Sequence, residues 1–539
     1  MSDENKPASP SDADGDRKPV APDPVEEQLA ESDEYDYNPP TEDFPAYERQ
    51  PAGGYPGQPQ WSSAPAQTVV RLRLRDHLLV GLSMVLALTI VTAVGYMWSG
   101  GSLLAVQQTA NDQSAPAGDG SAPAGNAEAD TGAVDLRQGA VFVMSNDAKG
   151  NEVAAFFRNQ DGALTEVGRY QTGGKGSGSV EDVSQALVVG TADGEASPTN
   201  VVNKAELLFV PNMGSNSISV FRIKADGLEL ASKVPSGGEK PVSLTVSKGL
   251  LYVLHSGEYD DRLWVGEGLL ENCTTGQLPS VNGFRVAADG TLTQIEGSTR
   301  PLTEERDSGC AQIGFSPDGK TLVATERRAG KTDEATGFPK GAILTFAVRE
   351  NGTLAPPVVN ESAGNGPYGF TFTKDGTLLM AEQNGADRVE GVGQVSSYSL
   401  APDGTIKLIK GPVATGQTDT CWIVAHTSKN IAFASAPLAN GTISSFSLAK
   451  DGGMSLQHAV ATAEDGVDRV NDNTAIGLLD IGLSGDSRFL YGLDAFAGGV
   501  YAFRVNDNGS LTSLGRKQVF DYLPITEGGH GGSNGIATF

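Results

Sequence analysis

After residue 139 the chain alternates apolar and polar positions with a period of two, in short runs broken by glycine-rich turns. That is the pattern of half-buried β-strands. Seven Asp-Gly or Asn-Gly pairs recur along it, starting at Asp161, Asp226, Asp289, Asn351, Asp403, Asp451 and Asn508, and this dipeptide favours tight hairpins. Five residues before each pair stands an aromatic: Phe156, Phe221, Phe284, Phe346, Tyr398, Phe446 and Phe503. Two or three residues after it stands an aliphatic: Leu164, Leu228, Leu292, Leu354, Ile406, Met454 and Leu511. The units are 48 to 65 residues apart and each ends in strand–turn–strand, as in ISVFRIKADGLEL. Six are preceded by a second strand pair, clearest in IGFSPDGKTLVAT and GFTFTKDGTLLMA and degenerate in the others, with AELLFV lacking its turn. Four strands, A to D, repeated seven times predict an all-β fold, a seven-bladed β-propeller over 139–539. The first repeat begins at AVFVMS, which matches strand B, and has no strand A. The chain ends in SNGIATF, which matches the strand A pattern of PYGFTF. The C-terminal strand is therefore predicted to close the first blade, which removes a free sheet edge.

The first 138 residues break the alternation. Residues 1–50 carry fifteen Asp and Glu against Lys6, Arg17, Lys18 and Arg49, and residues 1–67 hold twelve of the 29 prolines. Apolar residues there follow no period, so 1–70 reads as a disordered, acidic, Pro-rich tail that solvates itself. Residues 78–98 read LLVGLSMVLALTIVTAVGYMW, 21 positions without a charge. At about 1.5 Å per residue this crosses a bilayer core of roughly 30 Å. Arg71, Arg73 and Arg75 flank one end and Tyr96 and Trp98 the other. The expectation is one transmembrane helix within 71–98, the tail cytoplasmic and the propeller extracytoplasmic, joined by a flexible linker over 99–138.

The net charge of −27 disfavours nucleic acid as a partner, since its binders carry basic patches. Eleven of those charges belong to the tail. Turns A–B and C–D share one face of the ring; the long insertions 172–204, 256–280, 299–309, 327–340, 383–392 and 462–475 all read as B–C or D–A connections on the other. That face, at the mouth of the central channel, is the expected site. Aligned across blades, the last residue of strand B is Ser145, Asn212, His255, Glu326, Glu382, Ser435 and Asp494. All are polar, and the ring they form could hold an oxygen-rich ligand. Glu326, Glu382, Asp494 and His255 offer acid–base chemistry, and Arg327 and Arg328 could hold an anion. Trp422, in QTDTCW, is a ligand-stacking wall or an inter-blade packing residue. The acidic stretch 465–473 does not match a calcium loop, GGKGSGS lacks the phosphate-loop pattern, and GSGSV fails the serine-elbow pattern. No metal-binding motif is present. An outside location permits disulfides. Cys273 and Cys310, on the same face of adjacent blades, are expected to pair, leaving Cys421 a buried thiol.

The motifs FSPDGKTLVAT, NSISVF, GxGPYGF and GPVATGQTDTCW resemble the seven-bladed β-propeller lactonase family, which groups 6-phosphogluconolactonase-like proteins with carboxymuconate cyclases. The resemblance covers about 139–539. It implies opening or closing of a lactone on a small carboxylated substrate, with no metal or cofactor, by His, Glu and Arg groups at the channel mouth. By blade position these are His255, Glu326 and Arg327, with Asn212, Arg328, Glu382, Trp422 and Asp494 around the ligand. The chain is expected to act as a monomer. The other reading is a non-catalytic propeller that binds a ligand or protein outside the membrane.

Overall fold

The computed structural model describes residues 134–539 apart from 179, 182, 195–200, 257–276, 306–307, 385–390, 438–440, 462–477, 496 and 522–531. The tail, the apolar run 78–98, most of the linker, Cys273 and the acidic stretch 465–473 lie outside the described residues. Among the described residues no helix is long and apolar enough to cross a membrane.

The hairpin dipeptides behave as their chemistry requires. In six of the seven C–D turns the Asp or Asn side chain accepts a hydrogen bond from the backbone N–H two residues on, at 2.9–3.0 Å. The glycine between them sits at φ of +78° to +92°, a region costly for a residue with a Cβ. The exception is blade two, where Lys224 pairs directly with Gly227 across a shorter turn and Gly227 lies against the Tyr170 hydroxyl. The repeated aromatics are all buried. In five blades the register against the outer strand shifts beside the aromatic, at Phe156, Phe221, Tyr398, Phe446 and Phe503. The resulting bulge bends and twists the outer strand.

The turns also join one blade to the next. Their carbonyls accept from the neighbour: Gly162 from the Tyr491 hydroxyl (2.8 Å), Asp289 from Arg222 (2.9 Å), Asn351 from Arg285 (2.7 Å), Gly404 from Thr345 (2.5 Å). Between the sheets, apolar faces interlock. Val323 and Ile343 of blade four, for example, meet Phe370, Phe372 and Tyr398 of blade five.

Seven antiparallel sheets result, each in the order A–B–C–D, with a small additional hairpin, Thr332–Asp333 with Phe338–Pro339, in the B–C connection of blade four. The first sheet is completed by Asn534–Thr538, which pairs with Ala140–Met144. Phe539 stacks on Phe142 with ring centroids 6.3 Å apart, and the Thr538 hydroxyl donates to the Leu483 carbonyl of blade seven. The seven-bladed fold and its closure are thus as the repeat predicts.

One expectation is corrected. Strand A of blade two, Val188–Gly190, paired with Leu207–Asn212, lies inside the expected insertion. The stretch 172–204 is therefore not a single insertion on one face. Its first part connects blade one to blade two, and the described residues 191–194 and 201–206 belong to the A–B connection on the opposite face.

Candidate functional site

Strand A of each blade begins on the face that carries the D–A and B–C connections, and strand B ends there. The aligned strand B ends occupy equivalent places, but the structure does not gather them around the channel. His255, Glu326, Glu382 and Asp494 each expose 1% or less of their surface, and most are held by partners within or beside their own blade.

Asn212 donates to the hydroxyls of Ser217 (3.2 Å) and Ser219 (2.9 Å) and accepts from Asn151 (3.0 Å) and Thr172 (2.6 Å). All its hydrogen-bonding capacity on both sides of the amide is engaged. The Glu382 carboxylate accepts from the hydroxyls of Ser362 (2.7 Å), Ser396 (2.7 Å) and Tyr398 (2.9 Å) and from the Gly364 N–H (2.9 Å). Glu326 accepts from the Ser308 hydroxyl (2.6 Å) and the Thr303 N–H (3.0 Å). Burial raises the pKa of both glutamates, against these hydrogen bonds. Burial likewise raises Asp494, which accepts from the Ala497 N–H and pairs with Arg516 at 3.1 Å. For His255 burial lowers the pKa to about 4, so the ring is neutral at pH 7. Among the described residues neither ring nitrogen has a well-formed hydrogen bond, and Gly238 leaves the space the ring fills. Ser145 and Ser435 are buried too. Asn212, Glu326, Glu382 and Asp494 act first as internal anchors of the blades.

Glu326 and Arg327 are consecutive and point to opposite sides of the strand end. Arg327 is buried, with its guanidinium 5.8 Å from the centroid of the Tyr368 ring of blade five. Its backbone N–H donates to Gly309, and that of the half-buried Arg328 to Ser308. Trp422 packs edge-on against the same Tyr368, centroids 5.2 Å apart. Of all the predicted ligand-binding residues it alone lines the channel cavity. Cys310 is disulfide-bonded and Cys421 is a buried thiol outside any disulfide, donating to Asp419 at 3.1 Å; the remaining cysteine, Cys273, lies outside the described residues.

The channel mouth is filled by the chain itself. Glu181 and residues 183–185, leading into strand A of blade two, cross it and bond to four other blades. The Glu181 N–H donates to Asn534 Oδ1 and Asn534 Nδ2 donates back to the Glu181 carbonyl (3.0 and 2.8 Å), in blade one. Ser243 Oγ donates to the Ser184 carbonyl (2.7 Å) and the Leu244 N–H to the Gln185 carbonyl (3.1 Å), in blade three. The Ser184 N–H donates to Ala311 (3.0 Å) and Gln312 Nε2 to Gln185 Oε1 (3.2 Å), in blade four. Trp422 Nε1 donates to the Val183 carbonyl (3.2 Å), in blade six. In blade seven Asp480 lines the cavity beside Gln185. A buried ion pair, Lys240 with Glu181 at 2.8 Å, lies in the same seal.

Below this seal the inner strands enclose a cavity of about 90 Å³, reaching from Gln185, Gln312 and Asp480 to Val246, Phe315, Val424 and Thr538. That is several times the space one water needs. Sequence reasoning missed Asp480. Its oxygens accept from the N–H groups of Ile481 (3.0 Å) and Ile536 (3.3 Å), and burial raises it to about 7.

That shift has a measurable consequence. The ordinary value is 3.8, so between about pH 4 and 7 the folded protein holds a proton that the unfolded chain has released. The contribution of Asp480 to stability therefore falls as pH rises through this window and levels off above it. His255 and His426, both lowered to about 4 by burial, slope the other way, since there the unfolded chain binds the extra proton. The Asp480→Asn substitution isolates the first effect. The stability difference between parent and variant should change by about 3 kcal/mol between pH 4 and pH 7, read by urea unfolding across that range. A constant difference would show that Asp480 titrates normally.

Fold and channel together define the class: a seven-bladed β-propeller whose central channel is sealed at one mouth. Residues 278–392, from strand C of blade three to the B–C connection of blade five, match the family model "Lactonase, 7-bladed beta-propeller". The resemblance carried by the blade motifs is thus to that family. No curated protein matches the sequence. Among solved structures, the periplasmic gluconolactonase of Pseudomonas aeruginosa is 14% identical over 74% of this chain and 98% of that one, with a TM-score of 0.48. A protein from Lactobacillus plantarum is 14% identical over 75% and 99%, with a TM-score of 0.49.

Proposed function

We propose that the chain is an extracytoplasmic propeller of the lactonase type, held by a membrane anchor within 71–98, that opens or forms the lactone of a small carboxylated or sugar-derived molecule. The observation that supports the reading is the family match over 278–392, the stretch that contains Glu326 and Arg327. In this reading Arg327 faces the substrate's carboxylate or the charge that develops on the reacting oxygen. Glu326, whose carboxyl burial biases toward the protonated form, transfers the proton. The alternative, a propeller that binds without turnover, is supported by the hydrogen bonds that already occupy Glu326 and Glu382.

A panel of lactones and the corresponding hydroxy acids, offered to the full-length protein, separates the two. Under the enzymatic reading at least one pair interconverts. Glu326→Gln then lowers kcat by 100-fold or more, in the range of a lost general acid–base group, while Glu350→Gln on the exposed surface leaves it unchanged. Absence of turnover on every pair, with one of them still raising the melting temperature, supports the binding reading.

A further inference from the structure

The sealed channel carries a second site of different chemistry. Twenty residues line its cavity and only one of them, Asp480, can ionise. Its hydrogen-bond partners among the described residues are two backbone N–H groups, those of Ile481 and Ile536. No ion pair involves it among the described residues. A carboxylate has about four acceptor positions, so at least one remains open. A buried carboxylate without a counter-charge is costly.

The other polar groups near it are committed. Trp422 Nε1 donates to Val183, Gln312 donates to Phe370 (2.8 Å) and accepts from it (2.9 Å), and Gln185 Nε2 donates to Leu244 (2.9 Å). A cationic donor would find an open acceptor on Asp480 and supply the missing charge. The rest of the wall is apolar, with Val188, Val246, Phe315, Val424 and Ile536. Pockets with apolar walls and one or two placed polar groups are the usual form of small-molecule sites.

We propose that the central channel binds a small primary amine, with its ammonium on Asp480 and its alkyl chain against the inner strands. The site is independent of lactone chemistry at the other face, and it stands or falls without it.

The probe is n-butylammonium, titrated calorimetrically into the full-length protein at pH 7. In two buffers of different ionisation enthalpy, binding should release about half a proton, because Asp480 is half-protonated near its pKa of about 7 and binds the cation as the carboxylate. Uncharged n-butanol, equal in length, should bind at least tenfold more weakly. Asp480→Asn, checked for a cooperative melt, should lose at least tenfold in affinity for the amine and nothing for the alcohol. Absence of butylammonium binding, binding without proton release, or equal affinity for amine and alcohol would overturn the proposal. The proton release and the alcohol comparison use the parent protein alone, so the test holds even if the variant fails to fold.

Discussion

Removing residues 534–539 should abolish cooperative folding of the propeller. These few residues form the inner strand of blade one and bury Ile536, Ala537 and Phe539. Truncating a buried Ile costs about 2–5 kcal/mol and a buried Phe about 3–5 kcal/mol. Their loss alone is comparable to the whole stability of a typical domain, about 5–15 kcal/mol. The deletion also strips strand B of blade one of its partner and frees the Leu483 carbonyl of blade seven from Thr538. Glu181 loses both of its hydrogen bonds to Asn534, so the seal of the channel is damaged by the same cut. Circular dichroism melting reads the effect. A truncated protein that melts at the parent temperature would mean that strand B of blade one tolerates an open edge. Phe539→Ala is the milder comparison: it should stay folded and lose about 3–5 kcal/mol.

The second large effect is expected at Glu382. Three hydroxyls and one backbone N–H converge on this fully buried carboxyl. Glu382→Ala leaves all four without their acceptor and opens a cavity beside Tyr398. The expected loss is about 3–5 kcal/mol, as when one partner of a buried charged network is removed. Glu382→Gln keeps an acceptor but turns an NH₂ toward hydroxyl donors. Hydroxyl protons can rotate to accept it, so its cost should be about 1–3 kcal/mol. Urea unfolding orders the two. Equal and small losses in both would show that the network is slack, and would favour a solvent-facing role for this residue.

These expectations rest on features of unequal legibility. The blades could be read from the sequence because each C–D turn is specified locally. An Asp or Asn side chain, a glycine at positive φ and an aromatic at a fixed offset occur within a few residues of one another, so no distant partner is needed to recognise them. Blade two was the exception. Its strand A is only Val188–Gly190, and the long A–B connection after it breaks the spacing that identified the others. The strand B alignment was a true structural equivalence, as the burial of His255, Glu326, Glu382 and Asp494 shows. Its chemical meaning was not legible, because polarity at those ends answers to hydroxyls and N–H groups from elsewhere in the chain, such as Ser308, Ser362 and Tyr398.

The channel was hidden for a related reason. Asp480 in GLLDIGL stands four residues before Ser484, as Gln312 stands before Ser316 and Ser243 before Ser247. A single polar residue at that place in strand A was the available signal, and it pointed inward. What no spacing reveals is the segment that meets these side chains, since residues 181–185 lie far from blades four, six and seven in sequence.

Among the described residues, one mouth of the ring is stopped by the chain's own backbone. Such a compartment suits something that stays, a resident held for long periods, better than something passed through from one side to the other.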